Sequence, residues 1–425
     1  MCLQTYDSTV NLFNGFKYSG KTGCDQLMNN NILYQLKDYP FDRLRTLLDK
    51  IEPPERMTPI HMQIGEPKHE PPTFITTILK ENEKGWGRYP PPNGTLSMRE
   101  SIADWLTQRY NLPAEMINPS SNIAVVAGTR EALFMAALLS VPEKVNGKKP
   151  IVLMPNPFYQ VYQGAAAISR AEIVLVPAGP ETGFQPDLST LDDSVLDRTA
   201  FAYINTPANP QGSVASLSSL ESAVSLAKAH DFVLAIDECY SEIYTHEAPP
   251  GGLSAAANVS QNCKNLLVFH SLSKRSNVPG IRSGFVAGDP SLISLFLRLR
   301  QYGGAQIPLP IMEVSEALWR DEKHVEQSRI LYKEKFDLSL KVLGNKFDAK
   351  QPGGAFYLWL NVGNGEMAAK KLWQQAGVRV LPGKYLAQAD SSGLNPGDPY
   401  IRIALVHDLD TTREAVTRIR DTLTE

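Results

Sequence analysis

The fold is decided by a stretch in the second half of the chain that reads Phe269-His270-Ser271-Leu272-Ser273-Lys274-Arg275-Ser276-Asn277-Val278-Pro279-Gly280-Ile281-Arg282-Ser283-Gly284. It begins at the end of an apolar run, Leu266 to Phe269, that is typical of a buried strand. A lysine held on a tight turn can form a Schiff base with an aldehyde cofactor. Hydroxyls and a guanidinium beside it can hold a phosphate group. The stretch therefore favours pyridoxal phosphate as a cofactor, bound at Lys274.

Length and composition are those of a globular protein with a large core. The chain has 425 residues, of which 43% are hydrophobic and 20% charged, and this predicts two domains. A net charge of -3 gives no reason to expect nucleic acid or an anionic membrane as a partner. No apolar run approaches the ~18 residues of a membrane span, and the N-terminus lacks the pattern of a secretory signal. We therefore expect a cytoplasmic protein.

Cysteine and histidine usage gives no sign of disulfides or metal. The four cysteines show no C-x-x-C spacing, which favours reduced thiols. The seven histidines are scattered and include no H-E-x-x-H pattern, so structural histidines are favoured over metal ligands.

Apolar runs alternate with helical patterns between about residues 70 and 300. The strand-like runs are Asn122–Val126, Ile151–Met154, Glu172–Pro177, Phe201–Ile204, Phe232–Ile236 and Leu266–Phe269. Such continuous apolar strands predict a mostly parallel sheet covered by helices on both faces. Residues 131–141 are apolar almost all round, which predicts a buried helix.

Changes in the sequence pattern divide the chain into four regions. Residues 1–27 are polar and irregular and are expected to be a disordered extension. Residues 28–70 are expected to contribute to a small domain, 71–310 to form a large cofactor-binding domain, and 311–425 to form a smaller α/β domain.

Polar residues follow several of the predicted strands, where ligands of parallel α/β sheets bind. Asp237 ends the run 232–236, and Tyr240 comes three residues later. A buried aspartate there can hold a protonated pyridine nitrogen through a charged hydrogen bond worth roughly 1.5–3 kcal/mol. Tyr240 and Asn209, which follows the run 201–204, are candidate donors to the ring oxygen. A capping aspartate, a core tyrosine and a turn asparagine are the alternative interpretations.

Three further positions are candidates for the same site. Gly128-Thr129-Arg130 precede the apolar helix, where free backbone amides can bind phosphate or simply form a tight turn. Tyr159 can stack on a pyridine ring, although an aromatic residue after a strand is often core. Arg402 lies on the face of its strand opposite Ile401 and Ile403. An arginine in an apolar strand needs an anion, either a substrate carboxylate or a structural salt-bridge partner.

The motif around Lys274 resembles the lysine motif of the fold-type I, class I/II pyridoxal-phosphate aminotransferases. Within that family, Arg275 to Gly280 point to the proteobacterial N-succinyldiaminopimelate aminotransferases. The resemblance runs from Met28 to the C-terminus and is also carried by Tyr39-Pro40-Phe41, Ile64-Gly65-Glu66-Pro67-Lys68-His69, Thr129-Arg130-Glu131-Ala132-Leu133-Phe134, Pro155-Asn156-Pro157-Phe158-Tyr159-Gln160, Asp237-Glu238-Cys239-Tyr240-Ser241-Glu242-Ile243-Tyr244 and Ala355-Phe356-Tyr357-Leu358-Trp359. It implies a large domain with a mostly parallel seven-stranded sheet between helices, and a smaller α/β domain.

The resemblance also implies roles for the cofactor-binding residues. Lys274 attaches to pyridoxal phosphate and moves the substrate proton, Asp237 pairs with the pyridine nitrogen, and Tyr159 stacks on the ring. Tyr240 and Asn209 bind the ring oxygen. The phosphate is held by Gly128, Thr129, Arg130, Ser271, Ser273 and Arg282.

The substrates and the assembly follow from the same resemblance. Arg402, with Gly65 and Asn209, holds the α-carboxylate of amino-acid and 2-oxo-acid substrates, and Tyr89 reaches the cofactor of a neighbouring subunit in a homodimer. The implied reaction is transamination between glutamate and N-succinyl-2-amino-6-oxopimelate in lysine and diaminopimelate biosynthesis. Lys68 is a candidate for the succinyl arm, and a solvated surface lysine is the alternative. Alanine, aspartate or aromatic amino donors are the alternative substrates.

Two other classes of function are less well supported. Gly15-Phe16-Lys17-Tyr18-Ser19-Gly20-Lys21-Thr22 fits the P-loop pattern, but the polar residues before it do not form the buried strand that such a loop needs. A non-enzymatic protein on the same fold need not keep the set Lys274, Asp237, Asn209, Tyr240 and Arg282. The sequence therefore favours an enzyme over a P-loop nucleotide-binding protein.

Overall fold

The structure is a computed structural model that describes Ile32 and residues 36–424. The predicted extension, residues 1–27, and the P-loop pattern Gly15 to Thr22 lie outside the described residues. The described residues contain twelve strands and fourteen α-helices. The strands are β1 (Ile60–His61), β2 (Ile123–Val126), β3 (Ile151–Asn156), β4 (Glu172–Pro177), β5 (Thr199–Asn205), β6 (Val233–Asp237), β7 (Leu266–Ser271), β8 (Gly284–Gly288), β9 (Tyr357–Asn361), β10 (Val378–Arg379), β11 (Leu381–Pro382) and β12 (Tyr400–Ala404).

The helices occupy the intervals between these strands and both ends of the described chain. They are α1 (Pro40–Leu48), α2 (Phe74–Glu81), α3 (Leu96–Tyr110), α4 (Thr129–Ser140), α5 (Gln160–Ile168), α6 (Asp193–Leu196), α7 (Leu217–Ala229), α8 (Gly252–Ser260), α9 (Leu272–Arg275), α10 (Pro290–Tyr302), α11 (Leu309–Arg320), α12 (Lys323–Leu343), α13 (Gly365–Ala376) and α14 (Leu409–Thr424).

A seven-stranded sheet forms the centre of the molecule, in the order β2-β8-β7-β6-β5-β3-β4. The pairs from β7 to β4 are parallel, whereas β8 is antiparallel to both of its neighbours. The predicted α/β class with a mostly parallel sheet is therefore confirmed. The sequence patterns did not reveal β8, because Gly284-Phe285-Val286-Ala287-Gly288 is short and begins and ends with glycine.

Both faces of this sheet are buried, which explains why its strands are apolar throughout. In β7, Leu266 and Val268 pack into one hydrophobic core while Leu267 and Phe269 pack into the other. Strands alternate their side chains between the two faces, so a sheet between two helical layers needs apolar residues at every position.

Helix α4 is buried less completely than its sequence predicts. Ala132, Leu133, Ala136 and Ala137 are buried against the sheet, but Phe134 and its neighbours on the opposite side are only half-buried. The prediction of a buried helix is thus correct for one face and wrong for the other, because α4 packs in the outer layer beside α5.

Two smaller sheets contain strands from both the N-terminal and the C-terminal parts of the described chain. Strands β11, β12 and β9 form an antiparallel sheet, while β1 pairs with β10 in parallel. Helices α12, α13 and α14 pack together beside these strands over their own hydrophobic core. The pairing of β1 with β10 links the segment before residue 70 to these C-terminal strands. No helix among the described residues has the length and hydropathy needed to cross a membrane.

Candidate active site

A cavity of about 460 Å³ opens where the strands of the large sheet end. Asn205, Asp237 and Ser271 are the last residues of β5, β6 and β7, and all three line it. The strands are parallel and pair in register, so their carboxyl ends meet at one edge. Of the residues singled out from the sequence, the cavity is lined by Gly65, Thr129, Arg130, Tyr159, Asn209, Asp237, Tyr240, Ser271, Ser273, Lys274, Arg282 and Arg402.

Three of the predicted site residues do not line this cavity. Gly128 lies one residue before the lining residue Thr129. Tyr89 is 99% exposed. Lys68 is exposed, and its Nζ lies 3.3 Å from Nδ1 of His407. Tyr89 and Lys68 therefore do not line the cavity in which their predicted roles would be carried out. Gly128 can still contribute through the turn that it forms.

Lys274 projects into the cavity from the short helix α9. Ser271 caps this helix, because its Oγ accepts a hydrogen bond from the backbone N–H of Ser273 at 3.1 Å. The Nζ of Lys274 donates a hydrogen bond to the backbone oxygen of Gly65 at 2.8 Å. Burial lowers the pKa of Lys274 to about 8. The lysine is therefore held in place and is easily converted to a neutral nucleophile.

Asp237 is a buried carboxylate that accepts hydrogen bonds but is paired with no cationic side chain of the described residues. Its Oδ2 accepts a hydrogen bond from the hydroxyl of Tyr162 at 2.7 Å, and its Oδ1 accepts one from the backbone N–H of Cys239 at 3.2 Å. Burial raises the pKa of Asp237, while these two hydrogen bonds oppose the rise. A cationic N–H placed beside the carboxylate would stabilise its charged form.

Glu238 fixes the turn that carries Asp237. Its carboxylate accepts hydrogen bonds from the hydroxyl of Tyr110 and the backbone N–H of Gly252, both at 2.7 Å. The Nε2 of His270 lies 2.9 Å from the same carboxylate, which ties β6 to the neighbouring strand β7. None of Glu238, Tyr110, Gly252 and His270 is among the described residues that line the cavity. Glu238 is therefore a positioning residue for Asp237.

Hydroxyl, amide and guanidinium groups gather at the start of α4. Gly128 adopts a φ of 93°, and a Cβ at this position would collide with the guanidinium of Arg282. Thr129 begins the helix, where backbone N–H groups are free to bind an anion. Arg282 lies across this turn and donates a hydrogen bond to the backbone oxygen of Pro279 at 2.9 Å. This end of the cavity is suited to a phosphate group.

Arg402 places a guanidinium on the opposite wall of the cavity. Its Nη1 donates to Oδ1 of Asn209 at 2.7 Å and its Nη2 to the backbone oxygen of Gln63 at 2.8 Å. The guanidinium also stacks over the ring of Tyr357, 4.3 Å from its centroid. No carboxylate pairs with Arg402 among the described residues, and its buried Nε has no partner there. The structure thus gives no support to the alternative of a structural salt bridge.

Three residues of the site were not predicted from the sequence. Tyr357 lines the cavity, and its hydroxyl forms a hydrogen bond of 2.9 Å with the hydroxyl of Tyr240. This bond holds the Tyr240 side chain at the cavity wall. Tyr162 supports Asp237 from one helical turn beyond Tyr159. Cys239 also lines the cavity, with its Sγ 3.0 Å from Oγ1 of Thr129. Helical spacing from Tyr159 could have suggested Tyr162, but the other two contacts join distant parts of the chain.

The donor set fits pyridoxal phosphate. A buried carboxylate without a cationic partner, a phosphate-binding turn and a lysine with a lowered pKa line one cavity. Asp237 would hold the ring nitrogen, Tyr159 would stack on the ring, and the start of α4 with Arg282 would hold the phosphate. When bound, the cofactor supplies an electron sink for the bonds of the substrate's α-carbon. No cluster of three or more metal-ligating side chains occurs among the described residues.

Comparison with known proteins identifies the family. The family model for class I and II aminotransferases matches residues 58–419. An aminotransferase from Neisseria meningitidis is 41% identical, with a TM-score of 0.87 over 92% of this chain and 99% of that one. The aminotransferase AspB from Helicobacter pylori is 36% identical, with a TM-score of 0.82 over 91% and 98% of the two chains.

A curated relative adds a substrate name. The LL-diaminopimelate aminotransferase of Maridesulfovibrio salexigens is 28% identical over 375 residues, which cover 85% of this chain and 90% of that one. Enzymes of this family depend on pyridoxal phosphate, so the cofactor prediction is confirmed. The chain belongs to the class I and II aminotransferases.

Proposed function

We propose that this aminotransferase moves the amino group of glutamate to N-succinyl-2-amino-6-oxopimelate, forming 2-oxoglutarate and N-succinyl-LL-2,6-diaminopimelate. The observation that carries the transfer chemistry is the placement of Lys274, Asp237 and Arg402 around one cavity. The motif Arg275 to Gly280 supports the succinylated substrate, and the diaminopimelate name of a relative supports the same area of metabolism.

In this proposal each residue has a limited task. The guanidinium of Arg402 binds the substrate's α-carboxylate through two parallel hydrogen bonds. The neutral Nζ of Lys274 takes the proton from the substrate's α-carbon and, with the cofactor bound, would deliver it to the cofactor carbon, as amino-group transfer requires. Asp237 keeps the ring nitrogen protonated, which strengthens the electron sink. Tyr240 and Asn209 donate to the ring oxygen, and Gly65 helps to close the carboxylate side of the cavity.

The test is a comparison of amino donors with the purified enzyme loaded with pyridoxal phosphate. Glutamate, N-succinyl-LL-2,6-diaminopimelate, alanine, aspartate and phenylalanine would each be mixed with a 2-oxo-acid acceptor. We expect the succinylated diamine and glutamate to have the highest kcat/KM. A higher kcat/KM for alanine, aspartate or phenylalanine than for the succinylated diamine would overturn the proposed substrate and leave transamination intact.

A second candidate substrate is unacylated LL-diaminopimelate. It is favoured by the name of the relative from Maridesulfovibrio salexigens, which shares 28% of its residues with this chain. Adding LL-diaminopimelate to the same assay separates the two candidates, because the free diamine carries a distal ammonium where the succinylated one carries a neutral amide and an added carboxylate. Faster turnover of the free diamine would establish this alternative.

A further inference from the structure

A second cavity of about 240 Å³ lies beside the active site and is called here the side cavity. Tyr39 and Gln160 line both the side cavity and the active-site cavity. Its other walls come from α1, α4, α5 and the chain after β11, and include Arg43, Phe134, Gly164, Tyr385 and Gln388. A substrate whose reacting end lies near Lys274 can therefore extend a long arm past Tyr39 and Gln160.

The side cavity is lined by one carboxylate, that of Asp38, and by two cationic side chains, Lys37 and Arg43. The guanidinium of Arg43 is paired with no carboxylate among the described residues. Arg43 is half-buried, and its guanidinium lies 4.0 Å from the centroid of the Tyr385 ring. Within the described part of the chain it forms no hydrogen bond or ion pair. Stacking on an aromatic face leaves the edge of a guanidinium available to a carboxylate. Arg43 thus provides a carboxylate-binding group at a distance from Arg402.

Side-chain amides in the same cavity complement an amide group. The Nε2 of Gln163 donates to Oε1 of Gln388 at 3.0 Å, which leaves Nε2 of Gln388 and Oε1 of Gln163 without partners among the described residues. One of these atoms is a donor and the other an acceptor, as a secondary amide requires. The backbone of Gln388 is anchored by two hydrogen bonds with the side chain of Asn156, at 2.8 and 3.0 Å. The backbone that carries the Gln388 side chain is therefore held in place.

The charges that line the active-site cavity explain why a negatively charged substrate arm would bind in the side cavity instead. The cationic residues lining the active-site cavity are Arg130, Lys274, Arg282 and Arg402. The first three are assigned to the cofactor, and Arg402 is assigned to the α-carboxylate of the reacting end. Among the described residues of the same subunit, a substrate with additional carboxylates finds no further cation in this cavity, and Glu66 in its wall repels such a substrate. Lys68, the candidate from the sequence, lines neither cavity.

We propose that the side cavity binds the acyl arm of the substrate, with Arg43 pairing with its terminal carboxylate and Gln163 and Gln388 with its amide. The aromatic side chains of Phe134, Phe158 and Tyr385 pack against the methylene groups of the arm. This inference rests on the proposed function, because an unacylated substrate has no such arm. Glutamate is too short to reach the side cavity while its α-carboxylate is bound by Arg402.

Two independent substitutions test the inference. Arg43→Gln removes the charge, and Gly164→Leu fills the side cavity from α5. A Cβ on Gly164 meets only Cε2 of Phe134, at 3.7 Å among the described residues, so a side chain fits here without backbone strain. The matched controls are Arg45→Gln, which removes an exposed guanidinium paired with Asp42 on the same helix, and Gly164→Ala, which adds one methyl group.

The measurement is kcat/KM for N-succinyl-LL-2,6-diaminopimelate and for glutamate in separate half-reactions of the cofactor-loaded enzyme. We expect both test substitutions to lower the ratio of the two values at least about tenfold, mainly through KM, as the loss of a charged hydrogen bond implies. Both controls should keep the wild-type ratio. An unchanged ratio in either test variant overturns the inference alone. A wild-type enzyme that does not use the succinylated diamine overturns the proposed function and, with it, this inference.

Discussion

The lowered pKa of Lys274 has a consequence that is visible before any substrate binds. Burial brings this pKa from 10.5 to about 8, so the amine is neutral above about pH 8 rather than only above pH 10. We expect the cofactor-free protein to capture pyridoxal phosphate faster as the pH rises from 7 to 8.5, with a plateau above that range. Stopped-flow absorbance measures this rate. Lys274→Ala should show no covalent capture, and a rate that keeps rising up to pH 10 would contradict the lowered pKa.

Arg402 allows a second prediction at the scale of one residue. Its two Nη atoms are already oriented by Asn209 and Gln63, which presents the planar guanidinium to the cavity. Arg402→Lys keeps the charge but cannot form two parallel hydrogen bonds to a carboxylate. We expect KM for glutamate to rise about tenfold or more, corresponding to roughly 1.5 kcal/mol of lost charged hydrogen bonding. An unchanged KM for both glutamate and 2-oxoglutarate would remove Arg402 from the carboxylate site.

At the scale of elements, the turn after β6 depends on a buried carboxylate that never reaches the cavity. Glu238→Gln keeps the size of the side chain but leaves one acceptor oxygen instead of two, so it cannot accept the hydrogen bonds from both the N–H of Gly252 and the hydroxyl of Tyr110. We expect the free energy of unfolding to fall by about 1–3 kcal/mol. The loosened turn should also weaken cofactor binding through Asp237.

Urea unfolding and cofactor titration measure these two effects of Glu238→Gln. Glu334→Gln, at an exposed position on α12, is the control and should leave both values unchanged. A variant with wild-type cofactor affinity would show that Asp237 is held without this support. The comparison therefore separates a positioning role of Glu238 from a purely structural one, in which only the stability changes.

At the scale of the whole molecule, the exposed ring of Tyr89 leads to a prediction about assembly. This side chain is 99% exposed and does not line the cavity of its own subunit, and we propose that it reaches the cofactor phosphate of a second subunit in a homodimer. In mixed dimers of Tyr89→Ala and Lys274→Ala subunits, one of the two sites would then contain both wild-type residues. We expect the mixture to be more active than either variant alone. If Tyr89 acts within its own subunit, mixing restores no activity.

The patterns in the sequence predicted the fold class and the positions of the polar residues at strand ends. Apolar strands predict burial on both faces, and Asn209 and Asp237, which follow two of the predicted strands, line one cavity in the structure. Strand β8 was missed, because its antiparallel course depends on the neighbours β2 and β7 rather than on its own five residues. The half-buried face of α4 was missed because periodicity does not show how many layers cover a helix.

Sequence alone thus determined the chemistry that this chain can perform: a lysine among hydroxyls, an aspartate after a buried strand and an arginine within an apolar strand. These are local patterns, and each carries its own physical reason. Only the tertiary structure decided which distant residues complete the site, such as Tyr162 against Asp237 and Tyr357 against Arg402. It also excluded Lys68 from the cavity lining and placed Arg43 in the side cavity. Such contacts depend on helix packing and strand register, which no local pattern encodes.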